Sequence, residues 1–192
     1  MEPTVKNIHE DLIRGCRVND RKAQVQVYKL YYKAMYNTAL RILNNSAEAE
    51  DVMQEAFLEA FRKIETYREE SSFGTWLRRI VVNKAVDAFR KTKDLVSMDE
   101  YDVEVADQME DENYIQVLST RVEEIRKAIH GLPDNYRIIL SLFLLEGYDH
   151  EEIAQILNIS YGLSRTRYSR ARKKLLEFIG AGENSASRTK QN

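Results

Sequence analysis

Residues 149–176, DHEEIAQILNISYGLSRTRYSRARKKLL, leave little freedom in how they fold. They read as a helix, a short turn and a second helix. Asp149 followed by Glu152 has the spacing of a capping box, and Ile153, Ala154, Ile156 and Leu157 give the first helix an apolar side. Asn158 suits a left-handed residue that ends this helix, and Ser160 suits the cap of the next. Ala154 supplies the small side chain that two steeply crossing helices require. In the second helix Tyr168, Ala171, Leu175 and Phe178 recur at helical spacing and are expected to face inward. The remaining surface carries Arg165, Arg167, Arg170, Arg172, Lys173 and Lys174, with no acid before Glu177. A pair whose second helix is this basic suits insertion into a major groove. A helical hairpin with a solvated basic face is the blander reading of the same residues. Ser164 stands out, because that position usually holds an aliphatic side chain that locks the two helices.

The rest of the chain has to be compatible with that pair. Seven glycines and two prolines in 192 residues, with period-2 alternation nearly absent, predict an all-α protein of one large or two small domains. The net charge of −2 hides segregation, with basic blocks at 78–93 and 165–174 and an acidic block at 99–112. A near-neutral total therefore does not argue against nucleic acid, since the local field decides. Cys16 stands alone, which excludes an internal disulfide and a cysteine zinc cage and fits a reducing cytoplasm. No apolar run approaches the ~18 residues of a membrane span, and the start shows no signal-peptide pattern, so neither membrane insertion nor export is expected.

Residues 4–43 read as two helices separated by a break at Gly15–Asp20. The first has a short stripe of Ile8, Leu12 and Ile13. The second shows a wide apolar face of Val25, Tyr28, Leu30, Tyr31, Tyr32, Met35, Tyr36, Ala39, Leu40, Ile42 and Leu43. Helical spacing favours core packing for these tyrosines over base stacking. Residues 45–64 form a helix that Asn45 can cap and Glu48 can answer, with Val52, Met53, Ala56, Phe57, Ala60, Phe61 and Ile64 buried. Its other face holds Asp51, Gln54, Glu55, Leu58, Glu59 and Arg62. Leu58, apolar and ringed by polar residues, is either a stray on a solvated face or a small docking patch.

Residues 67–75, YREESSFGT, lose the periodicity and are expected to form a loop. In the helix 76–91, Trp76, Leu77, Ile80, Val81, Ala85 and Phe89 can pack while Arg78, Arg79, Lys84, Arg90 and Lys91 can meet phosphates. Asn83 has donors and acceptors suited to a base edge, although spacing alone favours a core or capping asparagine. Residues 92–113 are a flexible acidic linker, extended by self-repulsion. From Tyr114 the pattern returns, with Val117, Leu118, Val122, Ile125 and Ile129 in one helix, a Gly131–Pro133 turn, and a densely apolar helix over Asn135–Gly147. These supply a core for the opening pair, and the small polar tail 180–192 is expected to be disordered.

In order, AEAEDVMQEAFLEAFRKI, FGTWLRRIVVNKAVDAFRK, GLPDNYRIILSLFLLEGYDHEEIAQILNIS and SRARKKL, spread around an acidic linker, resemble a bacterial extracytoplasmic-function sigma factor of the sigma-70 family. The resemblance covers about residues 9–179 and has the family's minimal form. It implies two small helical domains: 1–91 as region 2 and 114–179 as region 4, the latter a four-helix domain with a helix-turn-helix. The linker at 92–113 joins them, and 180–192 is the tail. It implies that Asp51, Gln54, Glu55 and Leu58 dock on the coiled-coil clamp of the large subunit of core RNA polymerase, with the flap as a further polymerase contact. The 67–75 loop, with Tyr67, Ser71, Ser72 and Phe73, would receive a flipped base of the promoter's minus-ten element, while Arg79, Asn83 and Lys84 meet that element. Extrusion costs a few kcal/mol that the pocket must offset. Trp76 fits melting or core packing equally. Arg165, Thr166, Arg167, Ser169, Arg170 and Lys173 would face the minus-thirty-five element, reading bases or clamping phosphates. Leu163 and Ser164 stand where many relatives have threonine and valine. The acid linker would imitate RNA in the polymerase or, alternatively, fold back and mask the basic helix. An anti-sigma protein, often at the inner membrane, is the further implied partner, and no cofactor is implied.

Enzyme chemistry finds no footing in these residues. His9, His130 and His150 are scattered without metal-ligand spacing, no convergent carboxylate pair is evident, and there is no glycine-rich phosphate loop. Two other classes compete with the initiation factor. A stand-alone helix-turn-helix regulator would bind duplex DNA without polymerase, and leaves the front half unexplained. An interaction protein that has lost DNA binding is opposed by the retained basic block.

Overall fold

The computed structural model describes residues 8–93 and 122–189; their regular elements are helices, with no β-strand among the described residues. The chain divides into two compact units, Met1–Leu95 and Val96–Asn192. The linker reading, from residue 94 onward, and the return of helical pattern at 114–121 fall outside the described residues.

In the first unit, α1 spans Ile8–Arg17, α2 Arg21–Leu43, α3 Ser46–Arg62 and α4 Phe73–Lys93, with a single 3-10 turn at Ile64–Thr66. Local chemistry sets the boundaries. Asp20 starts α2 by accepting from the Lys22 amide at 2.8 Å. Asn44 ends α2 in the left-handed region at φ 55°, and Asn45 at once caps α3, accepting from the amides of Ala47 (3.0 Å) and Glu48 (3.3 Å). Its amide nitrogen donates to the Glu48 carboxylate at 3.2 Å, so the expected Asn45–Glu48 pairing is present.

Helices α2, α3 and α4 pack on one another, with α1 laid against α2. Val27, Met35, Ala39 and Ile42 of α2 meet Val52, Met53, Ala56, Phe57 and Ala60 of α3 and Leu77, Val81, Val82 and Ala85 of α4, all buried. The α1–α2 crossing is tight: a Cβ on Gly15 would lie 2.6 Å from the Ala23 Cβ, so only glycine permits this approach. Cys16 beside it is buried, and burial followed by the nearby Asp20 charge pushes its thiol up to about 11. The core face of α2 is narrower than its sequence suggests. Val25, Leu30 and Tyr32 are exposed, because the buried arc follows Ala23, Val27, Met35, Thr38 and Ile42 and no described element covers the other side.

In the second unit, α5 spans Val122–His130, α6 Asp134–Leu140, α7 His150–Leu157 and α8 Tyr161–Thr189, the four helices expected of this domain. Ile129, Ile139, Leu140, Leu142, Ile153, Ala171 and Leu175 form the core. Arg137 is buried with them, ion-paired to Asp134 one turn earlier, and desolvation lowers its guanidinium to about 10. The helix expected over 135–147 instead stops at Leu140 and widens into one π turn, Ser141–Leu145. The Glu146 amide reaches the Ser141 carbonyl (3.0 Å) and the Tyr148 amide the Leu142 carbonyl (3.0 Å), after which Gly147 turns the chain at φ 79°. An unbroken apolar run carries no mark of that change. Phe178, expected inside, is 50% exposed, because one side of its ring lies over Gly131 and the other faces solvent. Helix α8 continues to Thr189, beyond the point at which the sequence reading ends it.

Candidate functional site

The capped pair of the second unit forms as its sequence dictates. Asp149 accepts from the Glu152 amide at 2.8 Å while the Asp149 amide donates to the Glu152 carboxylate at 3.0 Å. Asn158 is left-handed at φ 48°, and the Ile159 amide closes the end of α7 on the Ala154 carbonyl at 3.0 Å. Ser160 then accepts from the Leu163 amide at 3.1 Å and starts α8.

Ser164 is fully buried, and its hydroxyl pairs with His150 Nδ1 at 3.1 Å. The lock between the two helices is therefore a hydrogen bond set among rings. His150 stacks on Phe143 (centroids 4.8 Å apart) and meets the edges of Tyr168 (5.3 Å) and Tyr161 (6.3 Å). Outside this lock, Arg165, Ser169 and Lys173 are exposed at i, i+4 and i+8 and so share one face, flanked by half-buried Thr166, Arg167 and Arg170. The Arg165 guanidinium also lies 5.9 Å from the Tyr161 ring centre. Phe143, His150 and Tyr168 were not singled out from sequence as a cluster. A histidine opening one helix and a buried serine in the next were the available signals.

In the first unit, Asp51, Gln54, Glu55 and Leu58 are all exposed on α3, and Leu58 is 59% exposed. Packing of α3 on α4 sets this face beside Lys84, whose ammonium lies 3.0 Å from Glu59 and 3.4 Å from Glu55. Hydrogen bonding to Glu59 raises the Lys84 pKa, and Lys63, at 2.6 Å, followed by Lys84 holds Glu59 below the usual carboxylate range. Lys84 thus sits in a carboxylate pair rather than alone on the α4 surface with Arg79 and Asn83, which are both exposed and one turn apart.

Tyr67 and Phe73 are both buried. They form one aromatic cluster with Trp76, every pair of rings having centroids 5.5 Å apart, and Tyr31 adds its edge to Phe73 at 5.4 Å. The Tyr67 hydroxyl donates to the Ser71 carbonyl at 2.8 Å. Burial raises its pKa, with Glu69 adding to the rise and Arg17 opposing it. Ser71 and Ser72 are exposed, and the Ser72 hydroxyl accepts from the Thr75 amide at 3.2 Å to open α4. A Cβ on Gly74 would come within 3.0 Å of the Tyr31 ring. The rings are thus the floor of the 67–72 loop, and the exposed residues its rim. Arg17 of α1 reaches this loop as well, which sequence reading missed.

An all-helical protein with a capped, basic helix-turn-helix in one unit and a loop-and-helix surface in the other is a DNA-binding protein built in two parts. Residues 27–94 match the model of Sigma-70 region 2, and residues 122–175 that of Sigma-70, region 4. The chain is 32% identical over 173 residues to the ECF RNA polymerase sigma factor SigW of Bacillus subtilis, covering 85% of this chain and 92% of that one. It is 31% identical over 175 residues to the ECF RNA polymerase sigma-E factor of Haemophilus influenzae, covering 85% and 91%. In fold it is similar to CnrH, solved in complex with the cytosolic domain of CnrY, with a TM-score of 0.51, 21% identity and coverage of 88% and 96%. It is likewise similar to the sigma factor RpoE, solved in complex with the anti-sigma factor NepR from Bartonella quintana, with a TM-score of 0.51, 23% identity and coverage of 81% and 95%. The chain belongs to the extracytoplasmic-function sigma factors of the sigma-70 family, which bind core RNA polymerase and direct promoter-specific initiation. No helix among the described residues is long and apolar enough to cross a membrane.

Proposed function

We propose that the chain docks on the polymerase clamp through Asp51, Gln54, Glu55 and Leu58, and that its two units read the minus-ten and minus-thirty-five elements. The observation that carries this reading is Leu58: an apolar side chain 59% exposed in the middle of a polar face. A water-excluded apolar centre with a charged rim is the anatomy of a protein interface. In the first unit Arg79 and Asn83 meet the minus-ten element from α4, and Ser71 and Ser72 meet it from the loop. Tyr67 and Phe73 shape that loop from beneath, and Lys84 contributes positive potential while paired with Glu55 and Glu59. In the second unit Arg165, Ser169 and Lys173 enter the major groove, with Thr166, Arg167 and Arg170 toward its walls. The polymerase performs the chemistry, and this chain supplies recognition and melting in the cytoplasm. The flap of the polymerase is the partner for the second unit. A dedicated anti-sigma protein that covers the α3 face keeps the factor silent; the structurally similar RpoE was solved in complex with an anti-sigma factor, NepR.

The test is run-off transcription with bacterial core polymerase on genomic promoter fragments, with and without the protein. Discrete starts that vanish when Asp51 and Leu58 are both changed to alanine support the assignment. Tight binding to free duplex DNA, with no polymerase binding and no starts, overturns it in favour of a stand-alone regulator.

A further inference from the structure

We infer that Arg17, in the last turn of α1, is a positioning residue that sets the base preference of the 67–72 loop. The inference rests on the reading of that loop as part of the minus-ten interface. Arg17 lies outside the stretch matched as region 2, which begins at residue 27. One of its nitrogens, Nη2, donates both to the Tyr67 backbone carbonyl at 3.0 Å and to the Glu69 carboxylate at 3.1 Å. A single guanidinium therefore ties the end of the N-terminal helix to a loop fifty residues away in sequence.

The loop needs such a tie. Glu69 has φ 62°, in the left-handed region that side chains other than glycine and asparagine rarely occupy, and such a residue persists only where its surroundings hold it. Arg17 holds the residue itself through its carboxylate and the segment leading into it through the Tyr67 carbonyl. The descending limb is held separately, by the Tyr67 hydroxyl on the Ser71 carbonyl, and Ser72 then begins α4. Between these two anchors Arg68, Glu70, Ser71 and Ser72 stand exposed at the apex, so the direction in which each points follows from the backbone that Arg17 fixes. The charge has a second consequence. Glu69 and Glu70 are adjacent carboxylates on a loop that must approach a polyanion, and the ion pair offsets one of them.

The experiment uses the full chain with core polymerase and promoter templates carrying each of the four bases at each minus-ten position. Opening is followed by 2-aminopurine fluorescence, and polymerase affinity is measured alongside. Arg17→Met keeps the length and the packing of the side chain but removes every donor. It is expected to bind polymerase as the native protein does. Its spread in opening rate between best and worst base is expected to narrow at least fivefold at one or more positions, and Arg17→Lys, which retains a cationic donor, to recover part of that spread. Uniform slowing at every base with an unchanged spread overturns the inference, because it marks a merely structural residue. Full native preference in Arg17→Met overturns it too. Should Arg17→Met fail to fold, Glu69→Gln, which removes the ion pair and leaves the Tyr67 bond, is read by the same criterion. A native protein without base preference at any minus-ten position overturns both the inference and the reading beneath it, whereas native preference that Arg17→Met retains overturns the inference alone.

Discussion

Replacing Leu58 with alanine should separate docking from folding. The side chain is 59% exposed, while its neighbour Phe57 is buried against Tyr28 at a centroid distance of 4.8 Å. Complete burial of a leucine is worth about 1.5–3 kcal/mol, so the part still available for a partner to cover corresponds to about 1–2 kcal/mol. Alanine retains little of that, and polymerase affinity should fall about 5–30-fold. Because the contact is apolar, the loss should persist at high salt, whereas the loss from Asp51→Ala should shrink as the exposed charge is screened. Thermal stability should stay within about 0.5 kcal/mol of native, since Leu58 is not part of the core. Competition of labelled protein for core polymerase at low and high salt, alongside a thermal melt, measures both. A change in affinity below twofold with an unaltered melt would refute the reasoning, and would leave Leu58 as an ordinary exposed apolar residue on a solvated face.

Three other perturbations probe the folded units directly. Ser164→Ala removes the buried hydroxyl paired with His150, and should cost about 1 kcal/mol and lower the melting temperature of the second unit by about 4–8 °C in calorimetry. Gly15→Ala puts a Cβ 2.6 Å from that of Ala23, so α1 should lift from α2 despite the gain in helix propensity. Cys16, now sealed and with its thiol pushed up to about 11, should then react with a disulfide reagent at pH 8 at least about tenfold faster than in the native protein. Glu59→Gln removes a carboxylate whose folded pKa lies below its ordinary value of 4.5. The stability that Glu59 contributes is therefore present above that ordinary value and lost as pH falls through the lower folded one. The difference in unfolding free energy between native and Glu59→Gln, read from urea titrations, should be small, about 1 kcal/mol or less for such a partly exposed pair, and should vanish as pH falls through that lower folded value.

What was legible in the sequence was local. The Asp149–Glu152 box, the left-handed Asn158, the Ser160 cap and the Asn45–Glu48 pair each lie within a few residues, so spacing alone specifies them. The exposed α3 face was legible for the same reason, because Asp51, Glu55 and Leu58 fall at i, i+4 and i+7 and share the face opposite the buried stripe. What escaped was held by partners far along the chain. That Lys84 pairs with Glu55 and Glu59 follows only once α3 packs beside α4. That Tyr67 and Phe73 share one ring cluster with Trp76 and Tyr31 likewise follows only from the fold. The apolar face of α2 was drawn too wide because periodicity counts apolar residues but does not say how many neighbours arrive to cover them, and Val25 and Leu30 were left outside. Ser164 lies between these cases. Its departure from an aliphatic was visible at once, yet the cause, His150 across the turn, required the fold. A polar residue at a position that should be apolar therefore points to a buried partner as well as to a defect, and in a chain this helical the partner is best sought first on the helix that crosses it.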